Sequence, residues 1–360
     1  MKKINILFLI MLLLISLISC QRGLTRLETD QIKDGKYDSE YPRLPASEYL
    51  EELADAVKLV SILTFYESYD FKFESKITKE NLSKEVIKNE AIVRYNFERP
   101  STGSATVIYQ LRNKVALLTC AHIINFPDTV FIYYEDEFGI KTKFIRNVSF
   151  KVRQNNNLID LPQLRDFDVL AMNSDMDIAL IGKDLETRGT HSINKVITRS
   201  SMDLIPLLKY PVGAAKELNW GSFVFLIGYP RAKKMISTAI VSSPNYDREY
   251  SFLIDASLQR GMSGGLVVAI RDGIPNFEIV GMTNAVSAET EYFLQPDRKY
   301  ESSEWDINRP YTGNIYATSY KSIFYGITYA ISIEKIQRFV EENKDVLKSK
   351  GYYSEYFFQY

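Results

Sequence analysis

From about Ala91 onward the chain is divided into short apolar or alternating runs separated by turn residues. They include Ala105-Tyr109, Val115-Thr119, Val130-Tyr134, Ile178-Ile181, Phe223-Ile227, Thr238-Val241, Phe252-Ile254, Leu266-Ile270 and Ile279-Met282. Many short strands with few helical stretches between them predict an all-β fold, a sandwich or closed barrels, rather than a parallel βαβ sheet. No repeat period of the solenoid or propeller kind is visible. Helical periodicity is confined to the flanks. Leu50, Leu53, Ala54, Val57 and Val60 follow one buried face, with Ser47 placed to cap it. Ile333, Ile336, Phe339 and Val340 do the same after Ser332.

The amino end carries a different signal. Lys2 and Lys3 precede an apolar run from Ile4 to Ile15, followed by Leu17-Ile18-Ser19-Cys20. This is the layout of an export signal, and the run is shorter than the ~20 residues a bilayer span needs. Its end resembles the lipobox of bacterial lipoproteins, which implies acylation of Cys20 and an extracytoplasmic, membrane-anchored protein. Cys120 is then the one remaining thiol and no internal disulfide is expected. Gln21 to about Pro45 is polar and aperiodic, as expected of a flexible tether. The net charge of −1, with Lys and Arg scattered along the chain, gives no field for nucleic acid.

Ser263 stands in Gly261-Met262-Ser263-Gly264-Gly265, between two strand-like runs. Glycines on both sides allow a sharp turn and close approach of a carbonyl, with the Gly261 and Ser263 amides as oxyanion-hole donors. The string also fits the Gly-x-Ser-x-Gly elbow of α/β-hydrolases, in which the histidine follows the serine. Both histidines here, His122 and His191, precede Ser263, so that reading fails. His122 follows the strand Val115-Leu118 within Thr119-Cys120-Ala121-His122, which suits a general base, whereas His191 sits in a polar loop-like stretch. The base needs a carboxylate on its other ring nitrogen, and Asp177, Asp175 and Asp168 are all candidates. Two histidines and one spare cysteine make a poor zinc set, and this chemistry calls for no metal or organic cofactor.

Taken in order, Thr-Cys-Ala-His, Asp-Ile-Ala-Leu and Gly-Met-Ser-Gly-Gly resemble the trypsin-like peptidases, in detail the HtrA/Deg branch. Gly103-Ser104-Ala105, Ser174 to Ile181, Ile227-Gly228-Tyr229-Pro230, Asp255-Ala256, Arg260-Gly261 and Glu278 to Met282 carry the likeness. The resemblance runs from about Ser101 to Val340. It implies a chymotrypsin-like double β-barrel, selects Asp177 as the acid, and assigns substrate-binding positions to Ser257, Thr283 and Asn284. A neutral Ser257 at the base of the specificity pocket argues against a preference for Lys or Arg. Met262 replaces the aspartate that pairs with a new amino terminus in secreted trypsins, so that activation switch is not expected. No sequence follows the closing helix for the PDZ domain many HtrA proteins carry.

The expected partition is a signal peptide over 1–19, a lipidated tether over 20–46, a helical extension over 47–90, a protease domain over 91–345 with an insertion at 288–322, and a tail over 346–360. The expected activity is polypeptide cleavage by His122, Asp177 and Ser263. The alternative is a binding protein on the same fold with weak or lost catalysis. Cys120, after an apolar strand, is expected to be a buried structural thiol. Oligomeric state is not readable from the sequence.

Overall fold

The computed structural model describes residues 33–136, 139–161, 166–185, 205–256, 259–296 and 315–359. The signal segment, Cys20, His191 and Ser257 lie outside them. Two antiparallel β units follow one another along the chain. The first is an open seven-stranded sheet, a half-barrel, of order β4-β5-β1-β2-β3-β7-β6. Its strands are β1 (Val57–Phe71), β2 (Ala91–Leu111), β3 (Lys114–Thr119), β4 (Thr129–Glu135), β5 (Lys141–Leu158), β6 (Asp168–Asn173) and β7 (Ile178–Asp184). The second unit is a closed barrel of order β10-β13-β12-β11-β8-β9. It comprises β8 (Phe223–Gly228), β9 (Met235–Ser243), β10 (Phe252–Ile254), β11 (Leu266–Ile270), β12 (Phe277–Pro296) and β13 (Ile315–Ser332). This is the chymotrypsin-like double-barrel architecture expected from the sequence.

The strand patterns explain where the core lies. β1 alternates after Val60, with Ile62, Thr64, Tyr66 and Ser68 turned inward, as a period of two requires. The central strands β3, β7 and β11 are apolar nearly throughout and buried on both faces. One apolar cluster runs from Val115 and Leu117 in the first unit to Phe225, Val267 and Phe277 in the second, so the two units pack on each other.

The flanks differ from expectation. Helix α1 (Ser47–Ala56) has Ala46 at its cap and no side-chain capping bond, and it stops at Ala56. Val57 and Val60 are strand residues, because β-branched side chains paired with β2, and at Val60 with β5 as well, gain more than a frayed helical turn would. The predicted helical extension over 47–90 is therefore largely a long strand of the protease unit, joined to β2 through α2 (Lys84–Glu90). The expected tether is not free over Asp34–Asp38. There Asp38 N donates to Ile270 O at 2.9 Å, Phe223 N to Asp38 O at 2.8 Å, and Tyr37 Oη to Glu278 Oε2 at 2.7 Å. The expected insertion is, at both ends, a continuation of the β12–β13 ladder out to Pro296 and Ile315. The 297–314 stretch lies outside the described residues. At the carboxyl end, Ser332 caps α4 (Ile333–Glu342) by accepting from Lys335 N, and Ile333, Ile336, Phe339 and Val340 are buried as predicted. The expected tail is instead docked. It contains α5 (Lys344–Ser349), then Tyr352 and Phe357, whose rings pack tilted against Tyr109 at centroid distances of 5.3 and 4.7 Å.

Candidate active site

β3 ends at Thr119 and the chain turns at once into a four-residue helix, α3 (Ala121–Ile124). Ala121, Ile123 and Ile124 are buried, and this holds the turn while the His122 side chain stays 47% exposed. Asp177 occupies the β6–β7 turn with φ of +55°, a left-handed conformation that aspartate tolerates better than most residues. From there it clasps the histidine segment three times. Its carbonyl accepts from Ala121 N at 3.3 Å, its Oδ1 from His122 N at 2.8 Å, and its Oδ2 faces His122 Nδ1 at 2.6 Å. A carboxylate only accepts, so Nδ1 carries the proton, and in the neutral ring Nε2 is the nitrogen with the lone pair. Among the described residues, neither Asp175 nor Asp168 makes a hydrogen bond or ion pair with His122.

Ser263 is half-buried, and its Oγ has no hydrogen bond among the described residues. Its loop is nevertheless tightly held. Gly261 and Gly264 both have positive φ, at +102° and +81°, and both lie against other backbone. A Cβ would stand 2.1 Å from Tyr229 O at Gly261 and 2.1 Å from Ser104 O at Gly264. Only glycine meets both demands.

The loop is fastened from two sides. Ser104, in β2 of the first unit and wholly buried, donates its N–H to Ser263 O at 2.8 Å and its Oγ–H to Gly261 O at 2.7 Å. Its Oγ also accepts from Tyr229 N at 2.9 Å, and its carbonyl accepts from Thr119 Oγ1 at 2.7 Å. From the second unit, Thr283 Oγ1 donates to Met262 O at 2.5 Å and accepts from Gly265 N at 3.0 Å. In a trans peptide the N–H points opposite to the C=O. Anchoring Met262 O therefore turns Ser263 N–H away from Thr283, where it can serve an oxyanion.

Thr283 O is shared. It accepts from Gly264 N at 2.8 Å and from Cys120 Sγ at 3.4 Å. One carbonyl thus ties the residue after Ser263 to the residue two before His122. This corrects the expectation for Thr283. It is fully buried with its hydroxyl, N–H and C=O all engaged, so it braces the serine loop and has no side-chain group left for a substrate. Asn284 is half-buried at a bulge between Thr283 and Val286, adjoining the loop.

Cys120 is buried, and burial, followed by the Asp177 charge, pushes its thiol well above the ordinary range. Cys120, His122 and Asp177 place donor atoms within 4.8 Å of one another. A thiol kept protonated is a poor ligand, so the trio fits a hydrogen-bonded dyad better than a metal. Ser104 was visible in the sequence only as part of Gly103-Ser104-Ala105. Its role as a fastener needed the structure, because the Ser104–Gly261 bond spans 157 positions.

No curated protein matches the chain. Among solved structures, the serine endoprotease from Yersinia pestis is similar at 15% identity, with 86% of this chain and 69% of that one covered and a TM-score of 0.38. The profile of the trypsin-like peptidase domain matches residues 103–282, which contain Ser104, His122, Asp177 and Ser263. That match spans half of the 360-residue chain, and the protein therefore belongs to the trypsin-like peptidase domain family.

Proposed function

We propose that this serine endopeptidase cleaves polypeptides through an acyl-enzyme on Ser263, with His122 as base and Asp177 as its anchor, while tethered to a membrane by acylated Cys20. The observation that carries the reading is the Asp177 clasp, which fixes both the tautomer and the ring of His122. Ser263 Oγ attacks the peptide carbonyl and passes its proton to His122 Nε2. The Gly261 and Ser263 amides receive the charge on the former carbonyl oxygen. His122 then gives that proton to the departing amine as the C–N bond breaks, and water repeats the sequence to release the acid.

A fluorophosphonate probe tests this, since it reacts with a serine activated by a neighbouring base. Labelling should map to Ser263 and vanish in Ser263→Ala. A folded wild-type protein that takes no label would remove the catalytic reading and favour a binding protein on this fold. The anchor is tested separately. Cys20→Ser should move the protein out of the detergent phase or leave an uncleaved precursor, because acyl chains supply the membrane affinity. Unchanged partitioning would remove the lipoprotein part alone.

A further inference from the structure

Gly261 N–H belongs to the Arg260–Gly261 peptide, and its direction depends on where Arg260 O is held. Arg260 O accepts from Arg231 N at 2.8 Å. With the carbonyl fastened there, the N–H of the same planar unit faces the opposite way. Arg231 sits in the short turn after β8, and it and Ala232 both have left-handed φ, at +50° and +59°. Neither is glycine, so each holds a strained backbone conformation. Two in succession persist only where the surroundings over-determine them.

Tyr229 is the nearest such constraint. Its O accepts from Ala232 N at 3.1 Å, closing the turn, and lies where a Cβ on Gly261 would stand. Its N–H is held by Ser104 Oγ at 2.9 Å. Its ring reaches back into the first unit, where the hydroxyl donates to Asp160 Oδ2 and lies 3.4 Å from Val57 O. Asp160 is in turn pinned by Leu59 N to its Oδ1 at 3.0 Å. Burial, with Asp160 adding to it, raises the phenol's proton affinity, so the hydroxyl remains a donor.

We propose that Tyr229, clamped at its hydroxyl by Asp160, is a positioning residue that holds the Arg231–Ala232 turn and so aims the Gly261 amide into the oxyanion hole. The first unit thereby sets the direction of a donor in the second. The proposal rests on the peptidase reading above and deepens it.

Tyr229→Phe tests it, with the ring kept and only the hydroxyl removed, alongside Asp160→Asn, which retains an acceptor for Leu59 N. Both are compared with wild type per titrated active site, on a peptide substrate and on a peptide boronate whose tetrahedral adduct fills the oxyanion hole. A donor misdirected by a fraction of an ångström acts on the transition state and not on ground-state binding. Tyr229→Phe should therefore lower kcat by roughly 10–100-fold, leave KM within about threefold, and weaken boronate inhibition by the same factor as kcat. Asp160→Asn should fall between it and wild type. Unchanged kcat and boronate affinity in a labelled, folded Tyr229→Phe protein overturns the positioning role, even if Tm drops. A wild type that neither labels nor binds boronate removes the peptidase reading and this proposal together.

Discussion

The two halves of the proposed active site are built differently. His122 and Asp177 lie in one unit, 55 positions apart, and are joined by bonds made within a single turn-to-turn contact. Ser263 lies in a loop whose shape is imposed from outside, by Ser104 from β2 and by Thr283 from β12. The proposed base therefore owes its geometry to contacts within one unit, and the proposed nucleophile owes its geometry to supports from both units. Substitutions in the first half should cost chemistry without stability, and those in the second should cost both.

The sharpest test is Asp177→Asn. The asparagine amide cannot enforce the Nδ1–H tautomer, and kcat should fall by about 10⁴-fold with KM little altered. The melting temperature should stay close to wild type, since the side chain is partly exposed. A large loss of stability would show that the clasp is a folding element and would break the contrast. Ser104→Ala should come next. It strands Gly261 O and Tyr229 N in a buried site, at a cost of about 1–3 kcal/mol in denaturant unfolding, and kcat should fall together with it. Loss of stability at full activity would show that the loop keeps its shape without the first unit. Thr283→Val should be milder, about 1 kcal/mol with a smaller fall in kcat, because Gly265 N still holds Met262 O at 2.9 Å.

Cys120 gives the smallest effect. Its thiol is raised by burial, so in the native protein it should resist iodoacetamide at pH 8–9 and react once urea exposes it. The sign of the linkage follows. The folded thiol keeps its proton where the unfolded one begins to lose it, near the ordinary value of about 8.5. Its contribution is thus complete below that pH and is lost as pH rises towards the folded value. Rapid native alkylation would place Cys120 at the surface.

The sequence made the strand pattern and the closing helix legible and singled out His122 and Ser263 as candidates, because periodicity and glycine spacing are local properties. Asp177 needed family resemblance, since three aspartates share its neighbourhood. What could not be read was long-range. Val57 and Val60 fit a helical face, and only pairing with β2 and β5 makes them strand. The polar segment around Tyr37 has no periodicity, yet the ring finds a buried slot under Arg271, whose guanidinium lies 4.1 Å from its centroid. The resemblance assigned Thr283 to substrate binding, yet the direction of its hydroxyl is set by residues about twenty positions away.

The carbonyl shared by Cys120 and Gly264 also bears on the order of assembly. The Cys120–Thr283 bond closes 163 positions, against 55 for His122 and Asp177. The added loop entropy is only about 1 kcal/mol, so the finished protein loses little by it. The kinetic consequence is larger, since contacts of high sequence separation form late. A chain emerging amino terminus first presents the proposed base and acid well before Thr283 exists to close the loop around Ser263. The proposed base and acid are thus in place before the loop of the proposed nucleophile is fastened, and the proposed catalytic geometry is complete only when the second barrel shuts.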